Sequence, residues 1–124
     1  MKIQMSWFEI PVADLNRAKK FYSAILNCEL SDYAIPNNPI KYARFPMEQG
    51  GSTGGALAKG DGYEPSSKGS VLWFNVEEEL TKVLSNAEKT GGKVLMPKTS
   101  AGQYGFVAHV LDSEGNKLVL HSSK

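Results

Sequence analysis

The sequence predicts an α+β fold made of two βαβββ modules, on three observations. Short stretches in which apolar and polar side chains alternate are typical of strands, and they recur along the chain. A strand followed by an amphipathic helix occurs twice, and the glycine-rich stretch GDGYEPSSKG at 60–69 separates the two occurrences. A chain of 124 residues has the length of one domain. We therefore expect a single domain over residues 1–124, with a first module of about 1–60 and a second of about 70–124.

The first module begins with a strand over residues 5–12, whose side chains alternate between two faces. Asp14 is the predicted N-cap of a helix that runs to about Asn27 with its apolar side chains on one stripe. The segment IPNNP interrupts the region after the helix, because proline breaks both helices and sheet ladders. Three short strands complete the module, over residues 28–34, 40–46 and 53–60.

The second module repeats this order. A strand over 70–76 precedes a helix from about Glu78 to Thr90, which the two glycines at 91–92 end. The last two strands are joined by DSEGN, a hairpin connection in which glycine takes the unusual dihedral angles. The three strands after the helix cover residues 93–97, 105–111 and 116–122.

An internal duplication explains why the order occurs twice. Val12 corresponds to Val76 and Leu15 to Leu80, which are offsets of 64 and 65 residues. The two WF pairs lie 66 residues apart, so they do not share this register fully. A repeated supersecondary unit at nearly constant spacing indicates two copies of one module that share a core.

The composition excludes some classes of partner and favours a cytoplasmic protein. The formal net charge is +1, whereas binding to nucleic acid or to a membrane surface favours a basic patch. The single cysteine, Cys28, cannot form an internal disulfide, which fits a reducing compartment, and we interpret it as a small buried hydrophobic residue. The sequence has no apolar run long enough for a signal peptide or a membrane span.

Four segments together resemble a known superfamily. They are EIPVADLNRAKKFY at 9–22, GGAL at 54–57, GGKVLMPKT at 91–99 and LDSEGNKLVLHS at 111–122. Their order and spacing are similar to those of the vicinal oxygen chelate superfamily of glyoxalases, bleomycin resistance proteins and extradiol dioxygenases, above all its small bacterial glyoxalase-like members. The resemblance covers essentially the whole chain. It implies that the modules form a curled mixed sheet, shaped as a cup with the helices outside, and that the protein forms a homodimer.

The resemblance also locates the ligands of metal-using members, which place one ligand, a histidine, glutamine or glutamate, in each of four strands. In this chain the four positions fall at Trp7, at Val71, at Val119 and near Gly55–Leu57. None of these residues carries the imidazole or carboxylate that a divalent metal requires. The sequence therefore predicts that the chain has no metal site and no cofactor.

Strand alternation predicts which side chains line the implied cup. The expected ligand-binding residues are Trp7, Glu9, Trp73, Asn75, Lys117, Val119 and His121. Two large aromatic rings with a few polar groups suit a small planar or aromatic organic molecule. The alternative for the two tryptophans is that they fill the cup or lie in a dimer interface.

Glu9 and His121 are the weak candidates for catalysis, and each has a structural alternative. A carboxylate inside a cup can act as a base, but Glu9 can equally pair with Lys117 or His121. His121 lies near the last residue of the chain, where a satisfied or exposed histidine is the alternative. The segment 50–69 is predicted to be either a lid or a flexible linker between the modules.

The sequence thus favours a protein of glyoxalase and bleomycin-resistance type that binds a small organic molecule in a metal-free cup. Whether it is an enzyme stays open. The alternative is a metal-dependent lyase or dioxygenase of the same superfamily, with a divalent metal held by displaced ligands such as Glu9 and His121. A third hypothesis is a dimer with a structural or partner-binding role. The missing ligands favour the first hypothesis over the second.

Overall fold

The computed structural model describes residues 2–47 and 53–124, and in it the chain forms two four-stranded sheets and two helices. The first half contains β1, α1, β2, β3 and β4, which are Trp7–Pro11, Leu15–Leu26, Ser31–Tyr33, Lys41–Arg44 and Gly54–Lys59. The second half contains β5, α2, β6, β7 and β8, which are Leu72–Asn75, Leu80–Lys89, Lys93–Ser100, Phe106–Leu111 and Lys117–Ser122. The βαβββ order in both halves confirms the predicted α+β fold class.

The two sheets have the same topology. The first has the strand order β1-β4-β3-β2 and the second has the order β5-β8-β7-β6. In each sheet the first and last strands of the module run parallel, and the other neighbours are antiparallel. β1 and β5 are therefore the corresponding edge strands, which is the arrangement that an internal duplication produces.

Local signals explain where α1 begins and ends. The Asp14 carboxylate accepts a hydrogen bond of 3.0 Å from the Arg17 backbone N–H, which caps the first turn. At the other end Asn27 takes the left-handed conformation with φ of 50°, a common helix stop. The buried side of the helix includes Phe21, Tyr22 and Ile25.

α2 begins two residues after the predicted Glu78. Glu79 caps it by accepting a hydrogen bond of 3.3 Å from the Lys82 backbone N–H, and it also accepts one of 2.7 Å from the Lys98 ammonium. The hydrogen bond from Lys98 is the main reason why the pKa of Glu79 falls from 4.5 to about 2. The helix ends just before Gly91, whose φ of +97° confirms the predicted glycine stop.

One apolar core spans both modules. It lies between the helices and the face of each sheet that packs against them. Rings from the two modules meet there, since the Phe74 ring lies 5.9 Å from that of Phe8 and 6.0 Å from that of Tyr22, measured between centroids. We call the opposite face of each sheet its open face. By strand alternation Trp7 and Glu9 lie on the first open face, and Trp73 lies on the second.

The hairpin at 112–116 fastens the second module to the first. The Tyr22 hydroxyl donates to the buried Asp112 carboxylate at 2.5 Å, and the Asn116 side-chain amide donates to the Pro11 carbonyl at 2.8 Å. Burial, followed by the charge of Asp112, raises the pKa of Tyr22 well above its ordinary value, so its hydroxyl remains a donor. Residues of the segment LDSEGN therefore make contacts that position the modules.

Several strand boundaries differ from the predictions. β1 covers only residues 7–11 of the predicted 5–12, and β2 covers only 31–33 of the predicted 28–34. β5 begins at Leu72, which leaves Val71 outside the strand. Strand ends depend on where a partner strand stops, and a single sequence does not carry that information. Within the described residues, neither α1 nor α2 has the length and hydropathy of a membrane span.

Candidate functional site

The first open face is aromatic. Tyr42 is buried there with Ala56 and Ala58, and Trp7, Tyr33 and Tyr63 pack against this cluster. The Tyr33 and Tyr42 rings are stacked, with centroids 4.9 Å apart and planes 7° from parallel. Three of these rings come from strands. The Tyr63 ring comes from the linker between the modules, which is the segment 60–71 between β4 and β5. Flat apolar surfaces with hydroxyl groups at their ends suit contact with a planar organic molecule.

Glu9 lies among these rings and is held by the linker. Its Oε1 accepts a hydrogen bond of 2.6 Å from the Tyr63 hydroxyl, in place of the predicted partners Lys117 or His121. This hydrogen bond is the main reason why the pKa of Tyr63 is raised above its ordinary value. Tyr63 therefore stays protonated and acts as a donor near neutral pH. A carboxylate has about four acceptor sites, so Glu9 can still accept hydrogen bonds from a ligand.

Arg44 adds a positive charge to the same face. Its guanidinium carbon lies 5.5 Å from the centroid of the Tyr33 ring, within the range of a cation–π contact. Glu9 and Arg44 both neighbour Ala56, one from β1 and the other from β3. Two strand spacings put their Cα atoms about 10 Å apart. The first open face thus carries one charge of each sign over a small, buried alanine.

The second open face holds a fully engaged histidine. His121 Nδ1 lies 2.9 Å from Asn75 Oδ1, and His121 Nε2 contacts the Tyr104 backbone carbonyl. A carbonyl only accepts, so Nε2 must carry a proton and donate it. Nδ1 then either accepts from the Asn75 amide in its other orientation or donates as part of an imidazolium. In both states the two ring nitrogens have partners within the protein.

The remaining predicted residues of the second module differ in accessibility. Trp73 is 63% exposed, so its ring is available to a ligand or a partner. Val119, its neighbour on β8, is only 1% exposed. It therefore packs inside the protein and offers almost no surface for contact with a ligand. Lys117 is half-buried. Trp73 and Tyr104, which is 69% exposed, are therefore the accessible large aromatic side chains of the second module.

Two of the cavities between the modules are lined by predicted site residues. Glu9 and Lys117 line a pocket of about 270 Å³, which brings one residue from each module together. Trp73 and Asn75 line a larger cleft of about 650 Å³, together with Phe8. Trp7 lines neither cavity and packs on the aromatic cluster of the first open face.

The donor set does not fit a divalent metal. Trp7 offers only an N–H donor and Val119 offers no metal-binding atom. The β4 residues that pair with Trp7 and Glu9 are Gly54 and Ala56, which carry no ligand group either. His121, the displaced alternative, already uses both ring nitrogens. Within 2–47 and 53–124, no three histidine, cysteine, aspartate or glutamate side chains are grouped so that they could hold an ion.

Comparison with protein-family models shows to which superfamily the chain belongs. The model of the Glyoxalase/Bleomycin resistance protein/Dioxygenase superfamily matches residues 4–120. The chain belongs to this superfamily. The match extends over both modules, so it confirms the resemblance found in the four sequence segments. Among curated protein sequences, no significant match was found.

Solved structures show the same fold at low sequence identity. A glyoxalase I mutant from Zea mays is 23% identical with a TM-score of 0.73, over 95% of this chain and 46% of that one, so the chain spans just under half of the maize protein. The fosfomycin resistance protein FosX from Listeria monocytogenes is 17% identical with a TM-score of 0.69, over 100% of this chain and 94% of that one. A hypothetical protein from S. aureus is 20% identical with a TM-score of 0.68, over 97% of both chains.

Sequence reasoning missed four residues of the aromatic face, which are Tyr33, Tyr42, Arg44 and Tyr63. Alternation in KYAR at 41–44 could have placed Tyr42 and Arg44 on one face. No sequence signal connects Tyr63 with Glu9, because the two lie 54 residues apart. Residues 50–52 of the predicted lid or linker lie outside the described residues.

Proposed function

We propose that this superfamily member is a metal-free protein that binds a small organic molecule against its open faces. One observation carries the proposal. The first open face presents aromatic rings around Glu9, and the positions implied for metal ligands hold tryptophan, valine and small residues. Contact between rings contributes about 0.5–1.5 kcal/mol beyond simple burial, so shape and ring contacts can hold a planar ligand without an ion.

The exposed apolar residues of the second module support a homodimer. Trp73 and Tyr104 are 63% and 69% exposed, and Val71 and Leu95 are exposed as well. We infer that these side chains contribute to one interaction surface, because contiguous exposed apolar patches are typical of interaction sites. A second copy that covers this surface would place Trp73 beside a ligand or in the interface.

Two single-tryptophan variants test where the ligand binds, because the chain has only two tryptophans. Trp73→Phe leaves Trp7 as the reporter, and Trp7→Phe leaves Trp73. A panel of small aromatic and planar compounds is titrated while tryptophan fluorescence is recorded. We expect a saturable change from Trp7 for a compound that binds the first open face. The matched readout from Trp73 shows whether the second module contributes to the same site.

Elemental analysis of the purified protein tests the metal-free part of the proposal. We expect less than stoichiometric nickel, zinc, iron or manganese, before and after incubation with each metal and removal of the excess. A stoichiometric metal that is lost in His121→Gln or Glu9→Gln would contradict the proposal and support a lyase or dioxygenase with displaced ligands. No fluorescence response from either variant to any compound would support a structural dimer instead.

A further inference from the structure

The 270 Å³ pocket between the modules has a composition that points to one class of ligand. We call it the seam pocket. Its apolar part is formed by Ile10, Leu72, Phe74 and Leu118, and its charged part by Glu9, Glu64 and Lys117. Both edge strands contribute, Glu9 from β1 and Leu72 from β5. An apolar pocket with a few convergent polar groups is the usual form of a small-molecule site.

The linker forms one wall of the seam pocket and is fastened at two points. Glu64 and Ser66 from the linker line the pocket. The Tyr63 hydroxyl donates to Glu9 at 2.6 Å, and the Ser66 backbone N–H donates to the Asn116 side-chain oxygen at 2.9 Å. These hydrogen bonds tie the linker to both modules, so the described part of this segment is an ordered wall. The pocket therefore has a defined shape.

Two opposite charges in the pocket are not paired with each other. Glu9 accepts one hydrogen bond, from Tyr63, and keeps acceptor sites free. Among the described residues, the Lys117 ammonium forms no hydrogen bond or ion pair. Both side chains are half-buried, so each attracts a group of opposite charge more strongly than it would in bulk water. A ligand that carries both signs of charge satisfies both groups at once.

We propose that the seam pocket binds a small zwitterion with an apolar body. Glu9 and Glu64 receive its ammonium group, Lys117 donates to its carboxylate, and the apolar body contacts Leu72 and Leu118. An aliphatic α-amino acid has this chemistry. The inference goes beyond the proposed function, because the seam pocket lies between the modules and its ligand class differs from the planar molecules expected at the first open face.

The leucine series separates the two charged contacts. L-Leucine carries both charges, L-leucinamide carries only the ammonium, and N-acetyl-L-leucine carries only the carboxylate. Isothermal titration calorimetry of the wild-type protein should give L-leucine an affinity about tenfold above that of either analogue, because a charge-assisted hydrogen bond is worth at least the ~1.4 kcal/mol that a factor of ten requires.

Variants of the two charged residues should give a crossed pattern. Lys117→Met keeps the aliphatic stem and should weaken L-leucine about tenfold while leaving L-leucinamide unchanged. Glu9→Gln keeps an acceptor for Tyr63 and should weaken both compounds while leaving N-acetyl-L-leucine unchanged. Lys93→Met and Glu88→Gln are the controls, because both residues are exposed and lie outside the pocket, and neither should change any affinity.

Equal binding of the three compounds, or no binding of any of them, would overturn the zwitterion assignment. An affinity loss in Lys117→Met that is the same for L-leucine and L-leucinamide would also overturn it, because it would show that Lys117 does not act through the ligand's carboxylate. The proposed function is tested separately, by titrating the panel of small aromatic and planar compounds against the two single-tryptophan variants. If a compound of that panel binds and the leucine series does not, the proposed function is supported and the zwitterion assignment is contradicted.

Discussion

Glu114 shows how a single carboxylate holds the two modules together. Its Oε1 accepts hydrogen bonds of 2.9 and 2.8 Å from the backbone N–H groups of Ala13 and Asp14, at the start of α1. The Arg17 guanidinium donates to its two oxygens at 2.7 and 3.0 Å. Burial by itself would raise the pKa of Glu114, but the hydrogen bonds from Arg17 and the backbone outweigh it and lower this pKa from 4.5 to about 2. A surface ion pair alone would contribute little, so the fixed backbone donors decide the strength of this contact.

The pH dependence of stability follows from Glu114. Because its pKa is lower in the folded state, its contribution is complete above about pH 4.5 and is lost as the pH falls toward 2. Glu114→Gln should lower the free energy of unfolding by about 2 kcal/mol at pH 7. The difference from wild type should shrink as the pH falls from 5 to 2, which urea denaturation at each pH measures.

Asp32→Asn is the matched control for Glu114→Gln. Asp32 pairs with Lys19 at 2.8 Å, but its side chain is 61% exposed. Exposed pairs contribute about 0–1 kcal/mol, so this variant should differ little from wild type at any pH. A constant difference between Glu114→Gln and wild type from pH 7 to pH 2 would contradict the role assigned to Glu114.

Among the secondary-structure elements, the end of α2 depends on a close approach that only glycine allows. A Cβ atom on Gly92 would lie 2.4 Å from Phe21 Cε1, 2.8 Å from the Leu111 carbonyl oxygen and 3.0 Å from the Ala87 carbonyl oxygen. The Phe21 ring is buried and the two oxygens belong to the backbone, so none of them can move without disturbing its element. Gly92 thus lets α1, α2 and β7 meet.

Gly92→Ala should therefore destabilise the fold by about 2 kcal/mol through overpacking. Thermal unfolding followed by circular dichroism measures the effect. Gly69→Ala is the control, because a Cβ atom there has no heavy atom within 4 Å and no positive φ to strain. It should change the free energy of unfolding by less than about 0.5 kcal/mol. Similar effects of the two substitutions would show that the close approach at Gly92 is not limiting.

Elements differed in how well the sequence predicted them. The helices were located to within about two residues, because caps and glycine stops are local signals that the chain carries at each end. Strand β6 was predicted as residues 93–97, whereas it extends over Lys93–Ser100 with register shifts around Met96. Its length is set by pairing with β7, and pairing is a contact between segments that no local pattern encodes.

At the scale of the whole molecule, the exposed apolar residues of the second module predict a dimer. Trp73→Lys places a charge on this surface and should shift the protein toward a monomer, which light scattering coupled to size-exclusion chromatography measures. Ile35→Lys is the control, because Ile35 is also exposed but lies in the first module, between β2 and β3. A monomeric mass for wild type would contradict the homodimer, and the same dimeric mass for all three proteins would contradict an interface at Trp73.

The sequence by itself determined the βαβββ duplication, the two helices, the superfamily and the lack of donors at the implied ligand positions. All of these depend on local periodicity, on glycine and proline, or on residue identity. The tertiary structure alone decided that Tyr63 holds Glu9, that Tyr104 and Asn75 occupy His121, and that Glu9 and Lys117 share one pocket. These contacts join residues that are distant in sequence, and the packing of the two modules on a common core brings them together.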